Sequence, residues 1–360
     1  MRFLYRYGKR PTQLMYGCQA CGKRFSLRKH TPLFGLKMED ATFFSIVSCQ
    51  GEGCGVRETA RIVGVKPDTV LAVARRMGRH VAHVMDHFLR DLWPGEVQLD
   101  ELWSFIHKKE GHLSELEALE REWGDAWVWI AYDPEDKVVL GFVVGKRTKD
   151  RAVRMLRRVR EVLGDGCFPL FTSDELSCYE DALIEVFGVT VRPERKGTTG
   201  RFPKPRNVPH PELKYAVVHK ERKENRVVKV ERRVVLGSEE AVGRALAESR
   251  VSDKVNTSFV ERENGKLRAG NGRLRRKTLG FSKEREMLGD ALCVTIGYDH
   301  FCRANKGLRE RAGPLEEGRR WIKRSSMMAL GATDHIWSVR ELVMFRVPEP
   351  AVRFQFGCYQ

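Results

Sequence analysis

The sequence predicts an α/β protein in which a mixed β-sheet domain follows a smaller all-α module. Residues 96–192 alternate between apolar, strand-like runs and segments with helical periodicity, whereas residues 39–92 carry helical patterns alone. Three acidic residues interrupt, follow or flank these elements: Asp100, Asp174 and Glu261. The alternation predicts the sheet domain, and the acidic residues indicate where its chemistry lies.

A metal-binding pattern opens the chain, within residues 1–36. Cys18 and Cys21 form a C-x₂-C pair followed by glycine and a basic–aromatic pair, which is typical of one half of a zinc ribbon. Tetrahedral zinc takes four ligands, and this pair supplies two of them. The candidates to complete the site are Cys49, Cys54 and His30. Otherwise the segment is the remainder of a truncated ribbon, or the chain start is placed too late, and we expect sub-stoichiometric zinc or none.

Residues 37–93 are predicted to form a helix-turn-helix that binds DNA. Gly64 suits the left-handed position that ends the first helix, and Pro67 suits the first turn of the second. The predicted buried stripe of the second helix consists of Val70, Val73, Ala74 and Met77. The residues expected on its outer face, towards the major groove and phosphates, are Asp68, Thr69, Ala72, Arg75, Arg76 and Arg79. An ordinary helical hairpin is the alternative.

The α/β domain is predicted over residues 94–302. It should contain three antiparallel strands, a helix, a fourth strand, a second helix and a short fifth strand. Their predicted ranges are 97–106, 126–132, 137–144, 151–163, 168–172, 177–187 and 189–192. The acidic stretch Asp133–Asp136 is attributed to turn chemistry and not to catalysis. This order is ribonuclease-H-like, with acidic residues on the first strand and after the fourth.

Residues 193–250 interrupt the order of the α/β domain. Their predicted elements are two hairpin strands and a helix, at 215–219, 227–235 and 238–249. The segment is too long and too ordered for a loop, so it is predicted to be a β-rich insertion. A C-terminal tail is predicted over residues 303–360, where Trp337 and Phe345 indicate that part of it docks on the rest of the protein.

Asp100, Asp174 and Glu261 are predicted to hold two divalent cations. Asp100 lies within a strand-like run, Asp174 follows another, and Glu261 opens a segment with helical periodicity. Such carboxylates suit magnesium, and two ions can activate water or a 3′-hydroxyl and stabilise the leaving oxygen of a phosphodiester. Each residue also has a structural alternative. Asp100 could be an edge-strand residue, Asp174 a helix N-cap, and Glu261 the last member of a capping box with Ser258.

The charge of the chain favours a polyanionic partner. Its 65 Lys and Arg against 48 Asp and Glu give a net charge of +17. The excess is concentrated in the first ninety residues and in a second cluster, Arg262–Arg285. The start shows no signal-peptide pattern, and no apolar run approaches the roughly 20 residues needed to span a bilayer. The nine cysteines are an odd number. We therefore expect a cytoplasmic, nucleoid-associated protein with reduced thiols and no membrane partner.

Five segments carry a resemblance to a known family. They are Gln98–Phe105, Trp129–Asp133, Phe171–Tyr179, Val260–Asn264 and Arg273–Ser282. In these the chain resembles bacterial insertion-sequence DDE transposases, in particular the insertion sequence one family and its single-reading-frame relatives. The likeness runs from the cysteine pair to about Cys302. Two departures stand out. The upstream half of a zinc ribbon is missing, and the separation between Asp174 and Glu261 is long, which the predicted insertion would explain.

The resemblance implies a ribonuclease-H-like catalytic domain that uses two magnesium or manganese ions. It implies double-stranded DNA as partner, both terminal inverted repeats and target, with 3′-end hydrolysis followed by strand transfer in a homo-oligomeric complex. Asp100, Asp174 and Glu261 would be the metal-binding triad. Arg268, seven residues after Glu261, would lie near the transferred strand. Within the basic cluster, the residues also expected to bind DNA are Arg276 and Lys277.

Two other classes of protein remain open. A DNA-binding regulator derived from a decayed element would need only the helix-turn-helix, and nothing in it would require three acidic residues in these contexts. Another ribonuclease-H-like nuclease, such as a junction resolvase, would explain the acidic residues. It would not explain the predicted N-terminal DNA-binding module or the basic cluster after Glu261.

Overall fold

The structure is a computed structural model, and it describes residues 4–7, 15–120, 123–194, 202–224, 226–312 and 320–348. The described residues divide into two compact units. The first contains the residues up to Phe88, Leu267–Phe281 and those from Glu286 onwards, and the second contains Leu89–Lys266 and Ser282–Arg285. Parts of the predicted zinc-ribbon segment, insertion and tail lie outside the described residues.

The first unit begins with a small antiparallel sheet and three helices. The strands are β1 (Leu4–Tyr7), β2 (Met15–Cys18) and β3 (Arg24–Ser26), and the helices are α1 (Asp40–Gly51), α2 (Val56–Val63) and α3 (Pro67–Phe88). Gly64 follows α2 with a φ of 73°, in the left-handed region that a residue without Cβ adopts without strain. Pro67 is the first residue of α3. Both predictions about this turn are confirmed.

The predicted buried stripe of α3 is also confirmed. Val70, Val73, Ala74 and Met77 are each at most 4% exposed. Helix α3 packs against both α1 and α2, so its apolar face forms the centre of this three-helix group.

The second unit contains the main sheet. Its strands in chain order are β4 (Glu96–Ile106), β5 (Gly124–Asp133), β6 (Val138–Gly145), β7 (Leu170–Asp174), β8 (Val189–Val191), β9 (Arg206–Val208), β10 (Lys214–Lys223) and β11 (Arg226–Leu236). Six of them form one mixed sheet in the order β11-β10-β7-β4-β5-β6. β4, β5 and β6 are antiparallel neighbours, and β7 runs parallel to both β4 and β10. The unit is therefore mixed α/β, and its strand order is compatible with a ribonuclease-H-like fold.

The short strand predicted at residues 189–192 does form, as β8, but it does not join the main sheet. β8 pairs with β9 in a separate two-stranded sheet, and β10 takes the place beside β7. The physical reason is burial. Tyr215 and Val218 of β10 are at most 4% exposed, whereas Val189 of β8 is 37% exposed. The hairpin predicted within the insertion does form, as β10 and β11, but it extends the main sheet.

Helices cover both faces of the main sheet. They are α5 (Lys149–Val162), α6 (Cys178–Phe187), α7 (Glu239–Glu248) and α8 (Ser258–Gly270). A shorter helix, α4 (Glu115–Glu120), lies between β4 and β5 in the chain. α5 packs on α6 and on β5 and β6. α7 closes an apolar cluster with β7 and β10 through Val242, Leu170, Ala216 and Val218. Successive residues of a strand point to opposite faces, so Ala216 and Val218 lie on one face of β10 and Tyr215 and Val217 on the other. Helix α7 therefore covers the face of β10 that carries Ala216 and Val218.

The remaining elements belong mainly to the first unit. They are α9 (Arg285–Gly297), β12 (Glu310–Arg311), β13 (Trp321–Ile322), α10 (Ser326–Ala329) and α11 (Val339–Met344). Trp337 and Phe345 stack around Phe88 and Phe301, with ring centroids 4.7 to 5.7 Å apart. This confirms that part of the tail docks. Across the residues that the structure describes, no helix combines the length and apolarity that crossing a membrane requires.

Candidate active site

Asp100 and Asp174 lie side by side in the centre of the main sheet. Leu99 of β4 pairs in register with Ser173 of the parallel strand β7, and each aspartate is the next residue on its strand. Residues at matching positions of neighbouring strands point to the same face, with backbones about 5 Å apart. The sheet register therefore brings two carboxylates together that are separated by more than seventy residues in sequence.

Helix α8 is attached to the same face of the sheet by Gln98. This side chain is fully buried, and its Oε1 accepts hydrogen bonds from the backbone N–H groups of Phe259 (3.1 Å) and Val260 (3.0 Å). Its Nε2 donates to Glu96 (2.9 Å) and Asn256 (3.3 Å). The first turn of a helix has N–H groups without intrahelical partners, and a strand side chain satisfies two of them here. The position of α8 over β4 is thus fixed at its N-terminus.

Two side chains of α8 reach the aspartates. Asn264 donates from Nδ2 to Oδ2 of Asp100 at 2.7 Å. Glu261, one turn earlier, is joined to Asp174 through the buried hydroxyl of Thr257, which lies 2.9 Å from Glu261 Oε1 and 3.2 Å from Asp174 Oδ1. The structure therefore brings all three predicted carboxylates to one face of the sheet.

A lysine of β10 completes this group. Nζ of Lys220 forms ion pairs with Oε1 of Glu261 and with Oδ1 of Asp174, the latter at 3.4 Å, and donates to Thr257 at 3.1 Å. Burial alone would lower the pKa of Lys220, but the hydrogen bond and charge of Glu261 and the charge of Asp174 outweigh it and raise the pKa. Lys220 is thus held as a cation between the two carboxylates.

The surroundings of Asp100 favour the protonated form of its carboxyl group. Burial raises its pKa to about 7, with further increases from the charges of Glu101 and Asp174. Hydrogen bonds from the Glu101 backbone N–H (2.8 Å) and from Asn264 act in the opposite direction. A carboxylate held in this way gains from a nearby cation, because the cation offsets the solvation that burial removes.

None of the three structural alternatives describes these carboxylates. β4 is a central strand and not an edge, so Asp100 is not an edge-strand residue. The N-cap of α6 is Ser177, not Asp174. The Ser258 backbone N–H donates to Oδ1 of Asn256 at 3.1 Å, and the Glu261 carboxylate turns instead towards Thr257 and Lys220.

Glu101, next to Asp100, points to the opposite face. Its two oxygens accept hydrogen bonds from the Tyr179 hydroxyl and from Arg147 (2.9 Å). Tyr179 is fully buried, and burial together with the Glu101 charge raises its pKa well above the usual value. Both residues therefore link α6 to the sheet and do not face the carboxylate group.

The chemistry of the three carboxylates fits magnesium or manganese, which prefer hard oxygen donors. As arranged, no group of three or more His, Cys, Asp or Glu side chains in the described ranges is close enough together to hold an ion. Lys220 lies where Asp174 and Glu261 approach each other. Asp100 and Asp174 would hold a cation from the sheet, and Glu261 from α8.

Sequence reasoning missed the side chains that build this site. Gln98 and Asn264 lie within the segments that carry the family resemblance, so the sequence contained a signal for them. Thr257 directly precedes α8, where a hydroxyl residue is typical of helix starts. Lys220 had no local signal, because its role arises from the pairing of β10 with β7.

The cysteine pair adopts a knuckle-like turn between β2 and β3. The Cys18 N–H donates to the Lys23 carbonyl at 2.9 Å, and the Gly22 N–H donates to the Cys18 carbonyl at 2.8 Å. A hydrogen bond from the Cys21 backbone N–H is the largest of the effects that lower the pKa of the Cys18 thiol. Such a turn presents a sulfur to a metal, but among the described residues no third or fourth ligand lies close enough to complete a site. The zinc site stays a prediction.

The predicted DNA-binding residues belong to the first unit. Arg75, Arg76 and Arg79 of α3 are exposed, and Thr69 is partly exposed. Arg76 also donates from one guanidinium nitrogen to the carbonyls of Phe34 (3.1 Å) and Pro32 (3.4 Å), so it helps to hold the segment before α1. Of the basic cluster, Arg276 and Lys277 are exposed and Arg268 is partly buried near the end of α8.

Comparisons with known proteins add little. No protein-family model matches the chain, and no curated protein matches it. Among solved structures, one match is a chain in the crystal structure of the Mos1 strand transfer complex, with 14% identity and a TM-score of 0.17. The matched part covers 41% of this chain and 56% of that one. A likeness this slight carries no argument about fold or function.

Proposed function

We propose that this protein is a DNA transposase that binds the terminal inverted repeats of an insertion sequence and cleaves and joins their 3′ ends. The observation that supports this most directly is the carboxylate group itself. Asp100 and Asp174 follow a paired register position of two parallel strands, and α8 brings Glu261 to them. Structural roles explain none of the three, and this donor chemistry suits metal-dependent phosphodiester chemistry.

Two reactions share this site. In the first, a water oxygen bonds to phosphorus at the element end while the bond to the 3′-oxygen breaks, which leaves a 3′-hydroxyl. In the second, that hydroxyl bonds to a target phosphorus while a target 3′-oxygen leaves. When bound, two divalent cations supply charge stabilisation at the attacking and leaving oxygens.

The chain's own residues hold the ligands in place for both reactions. Asn264 and the Glu101 N–H fix the two oxygens of Asp100. Thr257 sets the spacing between Asp174 and Glu261. Because Gln98 fixes α8 to β4, these contacts depend on one another, and a geometry held before the substrate arrives needs little reorganisation.

DNA binding is assigned to the first unit. The glycine turn between α2 and α3 and the exposed arginines of α3 support a helix-turn-helix that reads the inverted repeats. The net charge of +17 supports the same partner. We propose that the active complex is a homo-oligomer, since two element ends have to be processed together.

The test is cleavage of a duplex that carries the element end, with magnesium present or chelated. Asp100→Asn and Asp174→Asn remove charge that the cations need, so each should lower cleavage by at least about a hundredfold. The fold and DNA affinity should survive, because each asparagine keeps one accepting oxygen. At position 100 the Asn264 amide can also turn over, so that its Oδ1 accepts from the new amide nitrogen. Asp181→Asn, on the exposed surface of α6, is the matched control and should cleave normally.

Undiminished cleavage in either site variant would remove the triad assignment. Cleavage that continues after magnesium is chelated would remove the metal dependence. Preference for a four-way junction over the linear end would assign the protein to the junction-resolving nucleases instead.

A further inference from the structure

We propose that Lys220 is a tethered cation that occupies the Asp174–Glu261 pair until a divalent cation displaces it, and that its ammonium then binds a phosphate of the DNA. This rests on the proposed function, because it assigns a new residue to the same site. It makes Lys220 a positioning residue, one that works against the metal in the free protein and with the substrate afterwards.

The sheet determines where Lys220 lies. β10 pairs with β7 as far as Val218, which is in register with Asp174. Lys220 comes two residues later, so its side chain points to the same face as those of Val218 and Asp174. On its other edge β10 pairs with β11 from Tyr215 to Lys223, with Lys220 opposite Val230, which is 41% exposed. The side chain of Lys220 therefore lies just beyond the end of β7, next to the carboxylates and close to solvent.

Its contacts are those of a cation in a metal position. Nζ of Lys220 pairs with one oxygen of Glu261 and one of Asp174, and it lies 3.1 Å from the hydroxyl that links them. The two acidic side chains are 51% and 45% exposed, whereas that of Lys220 is 21% exposed. Exposed ion pairs contribute little to stability, so folding alone gives weak reason for a lysine at this point.

A divalent cation and this ammonium exclude each other. Both need the same oxygens of Asp174 and Glu261, and two positive charges within about 4 Å repel each other. Metal binding must therefore break the Lys220 contacts, which weakens the apparent affinity of the site for metal. Removing the lysine charge removes this competition.

The displaced ammonium has a natural partner in the DNA. Lysine is a flexible point charge that binds phosphate well, and its four-carbon stem lets it move by several ångströms while its backbone stays in β10. The phosphate next to the cleaved bond has to lie beside the same carboxylates. Lys220 would then hold the substrate strand, and its loss should slow cleavage even though metal binds more tightly.

The experiment measures Mn²⁺ binding to the full chain by calorimetry, without DNA, and then cleavage of the element end at saturating Mn²⁺. Lys220→Met should tighten Mn²⁺ binding by about five- to tenfold. The same variant should cleave at least about tenfold more slowly. Lys220→Arg keeps the charge and should bind Mn²⁺ as weakly as the parent. Lys223→Met removes the same charge from the exposed end of β10 and should change neither property.

Opposite changes in metal affinity and cleavage rate are a signature that a merely structural lysine would not produce. If the parent binds Mn²⁺ but Lys220→Met binds it equally or more weakly, the competition is wrong while the proposed function stands. If Mn²⁺ binds more tightly but cleavage is unchanged or faster, the phosphate contact is wrong, and the proposal fails as stated. If neither the parent nor Lys220→Met binds Mn²⁺, the proposal for Lys220, the metal site and the proposed function are all wrong.

Discussion

Gln98 is the residue that makes the geometry of the site possible. Its buried amide caps α8, and it also bonds to Glu96 and Asn256, so its donors and acceptor all have partners. A buried polar group left without a partner costs about 1–3 kcal/mol, so rotation of α8 away from this arrangement is disfavoured. The direction in which Glu261 and Asn264 point follows from this one side chain.

Glu261 and Glu263 have different roles although they are two residues apart. At about 100° per residue their side chains point roughly 200° apart around the helix. Glu261 faces Thr257 and Lys220, whereas Glu263 is 3% exposed and pairs with Lys266 at 3.0 Å. We predict that Glu261→Gln abolishes both hydrolysis and strand transfer, and that Glu263→Gln leaves both within a few-fold of the parent.

The two variants are matched controls for each other, since each changes one glutamate of α8 to its amide. Cleavage and strand transfer of a labelled element end measure both reactions. Melting temperatures of both variants show whether either protein is unfolded under the assay conditions. Loss of activity in Glu263→Gln alone would mean that α8 is rotated so that Glu263, and not Glu261, faces the aspartates.

At the scale of elements, local pattern predicted most of the sheet but not all of its pairing. The apolar runs that become β4, β5, β6 and β7 were recognisable, because their residues are buried on one or both faces. The sequence did not show whether β8 or β10 would pair with β7. This pairing depends on which strand buries more against distant residues, and no local pattern contains that information.

The same limit explains which parts of the site the sequence predicted. Asp100, Asp174 and Glu261 stand out because charged residues beside apolar runs are rare. Lys220 does not stand out, since its strand contains two other lysines and an arginine. Its position depends on the register of β10 against β7, which only the folded sheet defines.

The turn between β5 and β6 gives a prediction about pH. Oδ1 of Asp133 accepts hydrogen bonds from the backbone N–H groups of Glu135 (2.8 Å) and Asp136 (3.4 Å), as expected for turn chemistry. Burial raises the pKa of Asp133 to about 7, with a further increase from the charge of Asp136. The folded state therefore holds the proton more tightly than the unfolded chain. Stability should fall as the pH rises from about 4 to about 7, and stay reduced above that range.

Asp133→Asn keeps the accepting oxygen and removes the buried charge. At pH 8 it should raise the free energy of unfolding by about 4 kcal/mol, since one pKa unit corresponds to about 1.4 kcal/mol. The decline between pH 4 and 7 should become shallower, and the part that remains is due to Asp100, whose pKa is also raised to about 7. Urea unfolding at pH 5 and pH 8 measures both effects. Asp165→Asn, an exposed carboxylate of the same unit, should change neither. A destabilised Asp133→Asn variant at pH 8 would show that the ionised carboxylate is favoured in the folded turn.

At the scale of the whole molecule, the dominant property is the net charge of +17. Such an excess favours sequence-independent binding to the phosphates of DNA, and salt weakens binding of that kind. Base contacts add specificity on top of this background. Salt dependence therefore separates the residues that contact phosphates from those that read the sequence.

We predict that Arg75 and Arg79 of α3 contact phosphates and do not read the base sequence. Both are exposed on the outer face of the helix, opposite the stripe that begins at Val70. Changing both to Gln should weaken binding to the inverted repeat and to unrelated duplexes alike. The slope of log K against log salt should become less steep by about 0.9 for each lost phosphate contact.

The measurement is fluorescence anisotropy of a labelled duplex over a series of salt concentrations. Arg340→Gln is the control, since Arg340 is an exposed arginine of the same unit on α11. Arg340→Gln removes one positive charge and the double variant removes two. The single variant Arg75→Gln is therefore measured as well, because it removes the same charge as the control. A slope that Arg75→Gln lowers and Arg340→Gln leaves unchanged would assign the phosphate contact to α3. Equal slopes in all variants would mean that α3 does not contact the DNA backbone, and that the excess charge acts from another surface.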